Sequence, residues 1–237
     1  MRTRFVDCRA REAYLAAHVP GSAHAEPERD LTGQRDPTVT LRGGRHPLPG
    51  EEQFAAWASA AGIGSDTLVV GYDEGTGWAA RLWWLLRHFG HDDAAVLRLD
   101  AWHGPLRPGS EQHEPAAFVP RTRGDDTADA DELLDRLGDP RLTLVDARAP
   151  ERWRGDVEPI DPVAGRIPGA VNRFFQDETP LPGKLVEAEE LVVYCGSGVS
   201  ACAVLHELFL AGREDARLYP GSFSEWYALG PVERSAS

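Results

Sequence analysis

The chain has 237 residues, 42 % of them hydrophobic and 27 % charged, a length that suits one large domain or two domains of about 120 residues each. A formal net charge of -13 argues against nucleic acid as a partner, because nucleic-acid binding needs a basic surface. No apolar run approaches the ~20 residues of a membrane span and no apolar signal region opens the chain, so we expect a cytoplasmic protein without membrane contact.

Three cysteines, Cys8, Cys195 and Cys202, are spread along the chain. Their odd number and wide spacing make a disulfide framework improbable, so we expect free thiols in a reducing compartment. Neither a Cys-x-x-Cys pair nor closely spaced histidines occur, and a structural zinc site is therefore not predicted.

The sequence contains an internal repeat. Four segments of the first half recur in the same order in the second: 5–12 as 144–151, 18–22 as 166–170, 68–70 as 191–193 and 98–100 as 217–219. Four matches in register indicate a duplicated domain.

The predicted elements follow the same order in each copy. An apolar strand ending in Asp leads to a polar helix, a Pro-Gly turn, a β-rich strand, a glycine-rich loop, an amphipathic helix and a short last strand. The predicted strands are 5–6, 67–70 and 94–99 in copy one, and 142–145, 190–194 and 216–219 in copy two. Strands that alternate with helices at this spacing predict an α/β fold, with a mainly parallel sheet flanked by helices in each copy.

The Pro- and Gly-rich stretch between the copies is predicted to be an extended connection. We therefore assign residues 1–106 to the first domain, 107–127 to the linker and 128–237 to the second domain. A helix over 129–137 has no counterpart in copy one. Residues 177–190 leave little room in copy two for the helix that copy one places at 51–61.

The segment with the strongest chemical signal lies in copy two. A β-branched strand delivers Cys195 to a loop with two glycines, residues 196–200, and a helix over 201–210 follows. Inward-facing amides and the helix N-terminus would form a positive cup, which favours the reactive thiolate. The alternative is a buried structural cysteine, but the glycines would then serve no packing purpose. Cys202 and Cys8 are predicted to be small core residues.

Two chemistries use a cysteine at the head of an anion-binding loop. A cysteine phosphatase needs an arginine after five intervening residues to grip phosphate, and Ala201 stands at that place. The loop is also one residue shorter, which suits the terminal sulfur of a persulfide better than a phosphoryl group.

On these residues the chain resembles the tandem rhodanese family. Residues 195–200 are very similar to the active loop of its 3-mercaptopyruvate sulfurtransferase branch, in which Thr is usual at the position of Ser200. The thiosulfate branch usually has Arg-Lys where Gly196 and Ser197 stand. Residues 219–226 and the segment from Asp146 to 155 also resemble family motifs, and the likeness spans nearly the whole chain.

The resemblance implies roles for the loop and for one arginine. Cys195 would carry the sulfur, Arg152 would hold the anionic group of the substrate, and Ser197 would donate a hydrogen bond or help to move a proton. The remaining predicted substrate-binding residues are Gly196, Gly198, Val199 and Ser200. The alternatives are a surface role for Arg152 and a helix-capping role for Ser197.

Departures from the family pattern leave the donor open. Ile160 stands where many mercaptopyruvate enzymes have a second arginine, and Arg166 replaces the usual His before Ile-Pro-Gly. Arg148, Arg166 and Arg173 are candidates to compensate. His18 in copy one matches the family's His before Pro-Gly, either as part of a proton relay or as a turn residue.

Copy one is predicted to be inactive. Asp73 falls at the position of the cysteine, and a carboxylate cannot carry sulfane sulfur. Trp83 and Trp84 in the following helix are predicted to serve packing.

The predicted function is a sulfurtransferase that works through a Cys195 persulfide. The donor would be a small anion, 3-mercaptopyruvate or thiosulfate, and the acceptor a thiol, a thioredoxin-like protein or cyanide. The cycle requires no metal or organic cofactor. The alternative is a non-catalytic sulfur-relay or regulatory rhodanese module.

Overall fold

The computed structural model describes residues 2–35 and 42–235. The chain forms two compact units, the first from Met1–Gln34 and Leu48–Arg123, the second from Arg35–Pro47 and Gly124–Ser237. This division differs from the predicted boundaries at two places. A segment of the first half of the sequence belongs to the second unit, and most of the predicted linker belongs to the first.

The first unit contains four strands, four α-helices and one short 3-10 helix within its described residues. In chain order they are β1 (Arg2–Asp7), α1 (Arg11–Ala16), β2 (Ala23–His24), α2 (Pro27–Asp30), α3 (Glu51–Ala60), β3 (Thr67–Asp73), α4 (Trp78–His88), β4 (Ala94–Arg98) and the 3-10 helix Leu99–Ala101.

The second unit repeats the strand pattern with shorter helices. Its described elements are α5 (Ala130–Asp135), β5 (Leu142–Asp146), α6 (Pro150–Arg154), β6 (Val171–Asn172), α7 (Gly183–Val186), β7 (Glu190–Tyr194), α8 (Ala201–Leu210), β8 (Arg217–Leu218) and α9 (Ser222–Leu229). As expected from its length, the stretch before β7 holds only the one-turn helix α7.

Each unit is built on one four-stranded parallel sheet. The strand order is β2-β1-β3-β4 in the first unit and β6-β5-β7-β8 in the second. Asp7 pairs with Tyr72 in the first sheet, and Asp146 pairs with Tyr194 in the second, so the registers correspond. The predicted α/β fold of two repeated domains is confirmed.

Burial on both faces explains the composition of the central strand β7. Leu191, Val192, Val193 and Tyr194 are all buried, as expected for a strand of a parallel sheet covered by helices. Packed against this strand is a cluster that includes Phe223 and Trp226 of α9. The carboxyl end of β7 is therefore fixed in position.

The stretch after β4 lies on the first unit rather than forming a free connection. Arg107 exchanges two main-chain hydrogen bonds with His18, and the Arg121 and Arg123 amides donate to Phe89 and His88 carbonyls. Residues 105 to 123 form neither a helix nor a strand. None of the helices within the described residues is long and apolar enough to cross a lipid bilayer.

Candidate active site at Cys195

Cys195 follows the last residue of β7 and is 1 % exposed. Its sulfur accepts hydrogen bonds from two main-chain amides of the loop, Gly198 at 3.1 Å and Ser197 at 3.4 Å. The loop therefore curls its N–H groups towards the sulfur, an arrangement that stabilises negative charge there.

Glycine is required at one position of this curl. Gly198 has φ +79°, and a Cβ there would lie 2.6 Å from the carbonyl oxygen of Pro220. A side chain at residue 198 would therefore meet both backbone strain and a rigid main-chain atom.

Hydrogen bonds from the start of α9 support the cysteine loop. The Cys195 amide donates to Ser222 Oγ at 3.1 Å, and the amides of Phe223 and Ser224 donate to the carbonyls of Cys195 and Gly196, each at 2.9 Å. Ser222 adopts φ +53°, a left-handed conformation, and its hydroxyl donates to the Tyr219 carbonyl. The segment 219–226, which resembles a family motif, thus supports the cysteine loop.

Ser197 faces a histidine that the sequence analysis did not single out. Its Oγ lies 2.8 Å from His46 Nδ1, across 151 positions of sequence. The helix after the loop is preceded by Ser200, not Ser197, and has no side-chain cap. The structure therefore places the Ser197 hydroxyl with an imidazole rather than in the alternative capping role.

The chain segment that carries His46 is attached to the cysteine loop through its neighbours. Arg45 N donates to Ser224 Oγ at 2.9 Å, and Gly43 N donates to Glu225 at 3.1 Å. Gly44 has φ +69° and no space for a Cβ, because the carbonyl oxygen of Gly221 lies against it. In the sequence, Gly43 and Gly44 indicate a turn before Arg45, but they do not indicate which unit this segment belongs to.

Arg152 lies beside the cysteine loop, and its role in substrate binding stays a prediction. Its Nε and Nη2 donate to Glu158 at 3.1 and 2.7 Å, and Nη2 also lies 3.4 Å from Asp161. A Cβ on Gly196 would lie 3.5 Å from Arg152 Nη1. The guanidinium is therefore oriented by two carboxylates beside the loop.

The two carboxylates respond differently to their surroundings. Burial raises the pKa of Asp161, although Arg45 pulls it the other way. Burial also acts to raise the pKa of Glu158, but the hydrogen bond from Arg152 and the amides of Asp161 and Ile160 outweigh it, so the pKa is lowered. Glu158 is thus the firmly ionised anchor of Arg152.

The three arginines proposed to compensate for Ile160 are each paired with carboxylates, and Arg148 also bonds Glu158, the carboxylate that holds Arg152. Arg148 is buried and bonded to Asp146, Arg166 pairs with Glu233, and Arg173 pairs with Glu207. The side-chain atoms nearest to the Gly196 Cβ position instead belong to Arg45 and Arg152. That expectation is therefore corrected.

Two other predicted loop residues, Val199 and Ser200, follow the two amides that donate to the Cys195 sulfur. Val199 is buried, Ser200 is half-buried, and the Val199 carbonyl accepts from the Cys202 amide. Cys202 itself is buried in α8, with its thiol donating to the Gly198 carbonyl at 3.3 Å. All three cysteines are buried thiols outside any disulfide, and burial raises the pKa of Cys8 well above its ordinary value.

In the first unit the corresponding loop is filled by its own carboxylate. Asp73 accepts from the Gly75 amide at 2.8 Å, the Thr76 hydroxyl at 2.9 Å and the Ala79 amide at 3.0 Å. His18, also in this unit, is buried with Nδ1 2.9 Å from the Tyr14 carbonyl and Nε2 3.2 Å from Glu111. Among residues 2–35 and 42–235, no group of three or more His, Cys, Asp or Glu side chains could hold a metal ion.

The family model named Rhodanese-like domain matches residues 1–102 and 129–229. A protein of Pseudomonas aeruginosa named "Probable 3-mercaptopyruvate sulfurtransferase" is 42 % identical over 90 % of this chain and 82 % of its own length. Thiosulfate sulfurtransferase of Mus musculus is 32 % identical over 96 % of this chain and 83 % of its own.

A solved structure gives the same picture. The 3-mercaptopyruvate sulfurtransferase from Leishmania major, at 26 % identity, superimposes with a TM-score of 0.80 over 96 % of this chain and 71 % of that chain. Relatives that match most of this chain are named sulfurtransferases, which supports a sulfurtransferase activity. With both units matched by the same domain model, the chain belongs to the family of proteins built from rhodanese-like domains.

Proposed function

We propose that this protein transfers sulfane sulfur from 3-mercaptopyruvate, or less efficiently from thiosulfate, through a persulfide on Cys195. The observation that carries the proposal is the pair of amides, Ser197 N and Gly198 N, that donate to the Cys195 sulfur. Main-chain donors fixed in this way stabilise a thiolate before the reaction and a terminal persulfide anion after it.

The first step loads the sulfur. The Cys195 thiolate attacks the donor sulfur, an S–S bond forms, and the C–S bond of 3-mercaptopyruvate breaks. The electron pair of that bond passes to carbon as the enolate of pyruvate, which takes up one proton and leaves as pyruvate. From thiosulfate, the broken bond is S–S and sulfite leaves with the electron pair.

The second step removes the sulfur. An acceptor thiolate, or cyanide, attacks the outer sulfur of the persulfide, and the S–S bond to the Cys195 sulfur breaks. The electron pair returns to the Cys195 sulfur, which again accepts from the two loop amides. We propose a small thiol or a thioredoxin-like protein as the acceptor, with a cytoplasmic setting.

The contact between Ser197 and His46 favours 3-mercaptopyruvate as the donor. Release of pyruvate needs a proton at carbon, whereas release of sulfite needs none. A hydroxyl bonded to an imidazole at 2.8 Å, two residues after the nucleophile, is suited to deliver that proton. Arg152 supplies a positive charge for the carboxylate of the donor.

A comparison of the two donors tests the proposal. We expect kcat/KM with 3-mercaptopyruvate to exceed that with thiosulfate, and Cys195→Ser to abolish turnover of both. A clear preference for thiosulfate would contradict the assigned donor. Absence of turnover with both donors, in a correctly folded protein, would leave the non-catalytic relay or regulatory module as the function.

A further inference from the structure

The first unit contains a cavity that the proposed sulfur transfer does not use. Its volume is about 540 Å³, and all its lining residues belong to this unit. Two of them, Ser65 and Asp93, precede β3 and β4, so the cavity lies at the amino ends of these parallel strands. Asp73 lies at the opposite, carboxyl end of β3. A cavity of this size is typical of small-molecule sites.

One wall of the cavity is a stretch of the chain after β4 that is fixed at both ends. The Ala116 amide donates to a carbonyl of α3 at 3.0 Å, and the Arg121 amide donates to the carbonyl of the residue after α4 at 2.9 Å. Between these two bonds, Phe118 is 9 % exposed and Val119 is 72 % exposed. The wall therefore presents an apolar side chain on a fixed main chain, which lowers the ordering cost of covering it with a ligand.

A buried histidine contributes a hydrogen-bond acceptor to the same cavity. His91 is 8 % exposed, and its Nε2 lies 2.9 Å from the Thr67 carbonyl oxygen. Because a carbonyl oxygen can only accept, Nε2 carries the hydrogen, and Nδ1 of the neutral ring is an acceptor. Among residues 2–35 and 42–235, no group donates to this Nδ1. A donor on a ligand in the cavity would satisfy it.

Two opposite charges line the cavity without partners of their own. The carboxylate of Asp92 pairs with Arg87 and Arg123, at 3.3 and 2.6 Å. By contrast, within the part of the chain that the structure describes, the Asp93 carboxylate and the Arg121 guanidinium form no ion pair or hydrogen bond. The cavity therefore offers a ligand one negative and one positive group, besides the histidine acceptor.

We propose that this cavity binds an apolar α-amino acid in its zwitterionic form. The ammonium group donates to His91 Nδ1 and pairs with Asp93, and the carboxylate pairs with Arg121. The apolar side chain of the ligand packs against Phe118 and Val119. A purely cationic ligand would leave the arginine unpaired, and a purely anionic one would leave the aspartate unpaired. The site is additional to the proposed sulfur transfer and does not depend on it.

Isothermal titration calorimetry of the full chain with L-leucine tests the proposal. Leucinamide lacks the carboxylate, 4-methylpentanoate lacks the ammonium group, and glycine lacks the apolar side chain. Each of these three ligands should bind about tenfold or more weakly than L-leucine, the size expected for loss of one charged hydrogen bond or of the apolar contact. No binding of L-leucine, or equal affinity for all four ligands, would overturn the proposal.

Two variants assign the charged contacts. Arg121→Met should weaken the binding of L-leucine about tenfold and leave that of leucinamide unchanged, because only L-leucine has a carboxylate. Asp93→Asn should weaken L-leucine in the same way and leave 4-methylpentanoate unchanged. Arg141→Met, a matched control that removes an exposed arginine of the second unit, should bind L-leucine as wild type does. Equal weakening of L-leucine and leucinamide by Arg121→Met, or weakening of L-leucine by the control, would overturn the assigned site.

Discussion

Asp73 and Cys195 occupy equivalent positions in the two units, one residue beyond Tyr72 and Tyr194, which pair with the strand-ending Asp7 and Asp146 in identical register. Each accepts a hydrogen bond from the amide two residues later, Gly75 at 2.8 Å and Ser197 at 3.4 Å. The two loops therefore share this hydrogen bond but differ in the side chain that accepts it. In the first unit a fixed carboxylate satisfies the amides, and in the second a thiol does.

The buried carboxylate of Asp73, which accepts three hydrogen bonds, should stabilise the first unit. We expect Asp73→Asn to lower the free energy of unfolding of this unit by about 1–3 kcal/mol, because donors would lose their charged acceptor. The neighbouring change Glu74→Gln is the control, since it removes only an exposed ion pair with Arg9. Urea unfolding followed by tryptophan fluorescence measures both, and equal stabilities for the two variants would contradict the assignment.

The repeat made much of this architecture predictable. A β-branched strand ending at Cys195, two glycines and an apolar helix identify the loop from local sequence, and the repeat unit explains Asp73. Segment 42–47 could not be placed in this way. Arg45 and His46 lie in neither strand nor helix and have no counterpart in copy two, so no periodicity indicates their neighbours.

The departures at Arg148, Arg166 and Arg173 have a related cause. Each arginine has the charge that the compensating role needs, but each is paired with a carboxylate in its own surroundings. Charge type can be read from sequence, whereas the identity of the partner depends on tertiary packing.

Two glycines of the cysteine loop should tolerate alanine very differently. Gly198→Ala should destabilise the second unit by about 1–3 kcal/mol, because alanine at φ +79° is strained and would meet the Pro220 carbonyl. Gly196 lies outside the left-handed region, and its Cβ would meet only the flexible ends of Arg45 and Arg152.

Gly196→Ala should therefore fold with nearly unchanged stability and show a raised KM for the donor. Thermal unfolding together with donor kinetics checks the pair. Similar losses of stability in both variants would contradict the geometry described for the loop.

The Ser197 and His46 contact predicts a donor-dependent defect. Ser197→Ala and His46→Asn should each slow persulfide loading from 3-mercaptopyruvate by about a hundredfold, the size typical for loss of a proton-transfer group. Loading from thiosulfate, which needs no proton at carbon, should change little. Stopped-flow measurements with both donors decide the matter, and equal defects with both would assign the pair a positioning role only.

An acidic group of the first unit should make stability depend on pH. Arg107, together with the Gly21 amide and His18, lowers the pKa of Glu111 to about 2, from 4.5. Ionised Glu111 therefore stabilises the folded state at pH above its unfolded-state pKa, and this contribution is lost as the pH falls from 4.5 towards 2.

Glu111→Gln should thus cost about 1 kcal/mol near neutral pH, a modest amount because the partner Arg107 is half-exposed. The difference in Tm from wild type should shrink below pH 4.5. A difference that grows on acidification would have the wrong sign for this account.

The central claim concerns which of three buried thiols carries sulfur, so site-resolved mass spectrometry tests it most directly. After brief exposure to 3-mercaptopyruvate without acceptor, the peptide containing Cys195 should gain the mass of one sulfur atom, and addition of a thiol acceptor should remove it. The separate peptide containing Cys8 should stay unmodified, and fragment ions should exclude Cys202. Added sulfur on Cys8 or Cys202 instead, or on no cysteine at all, would contradict the account.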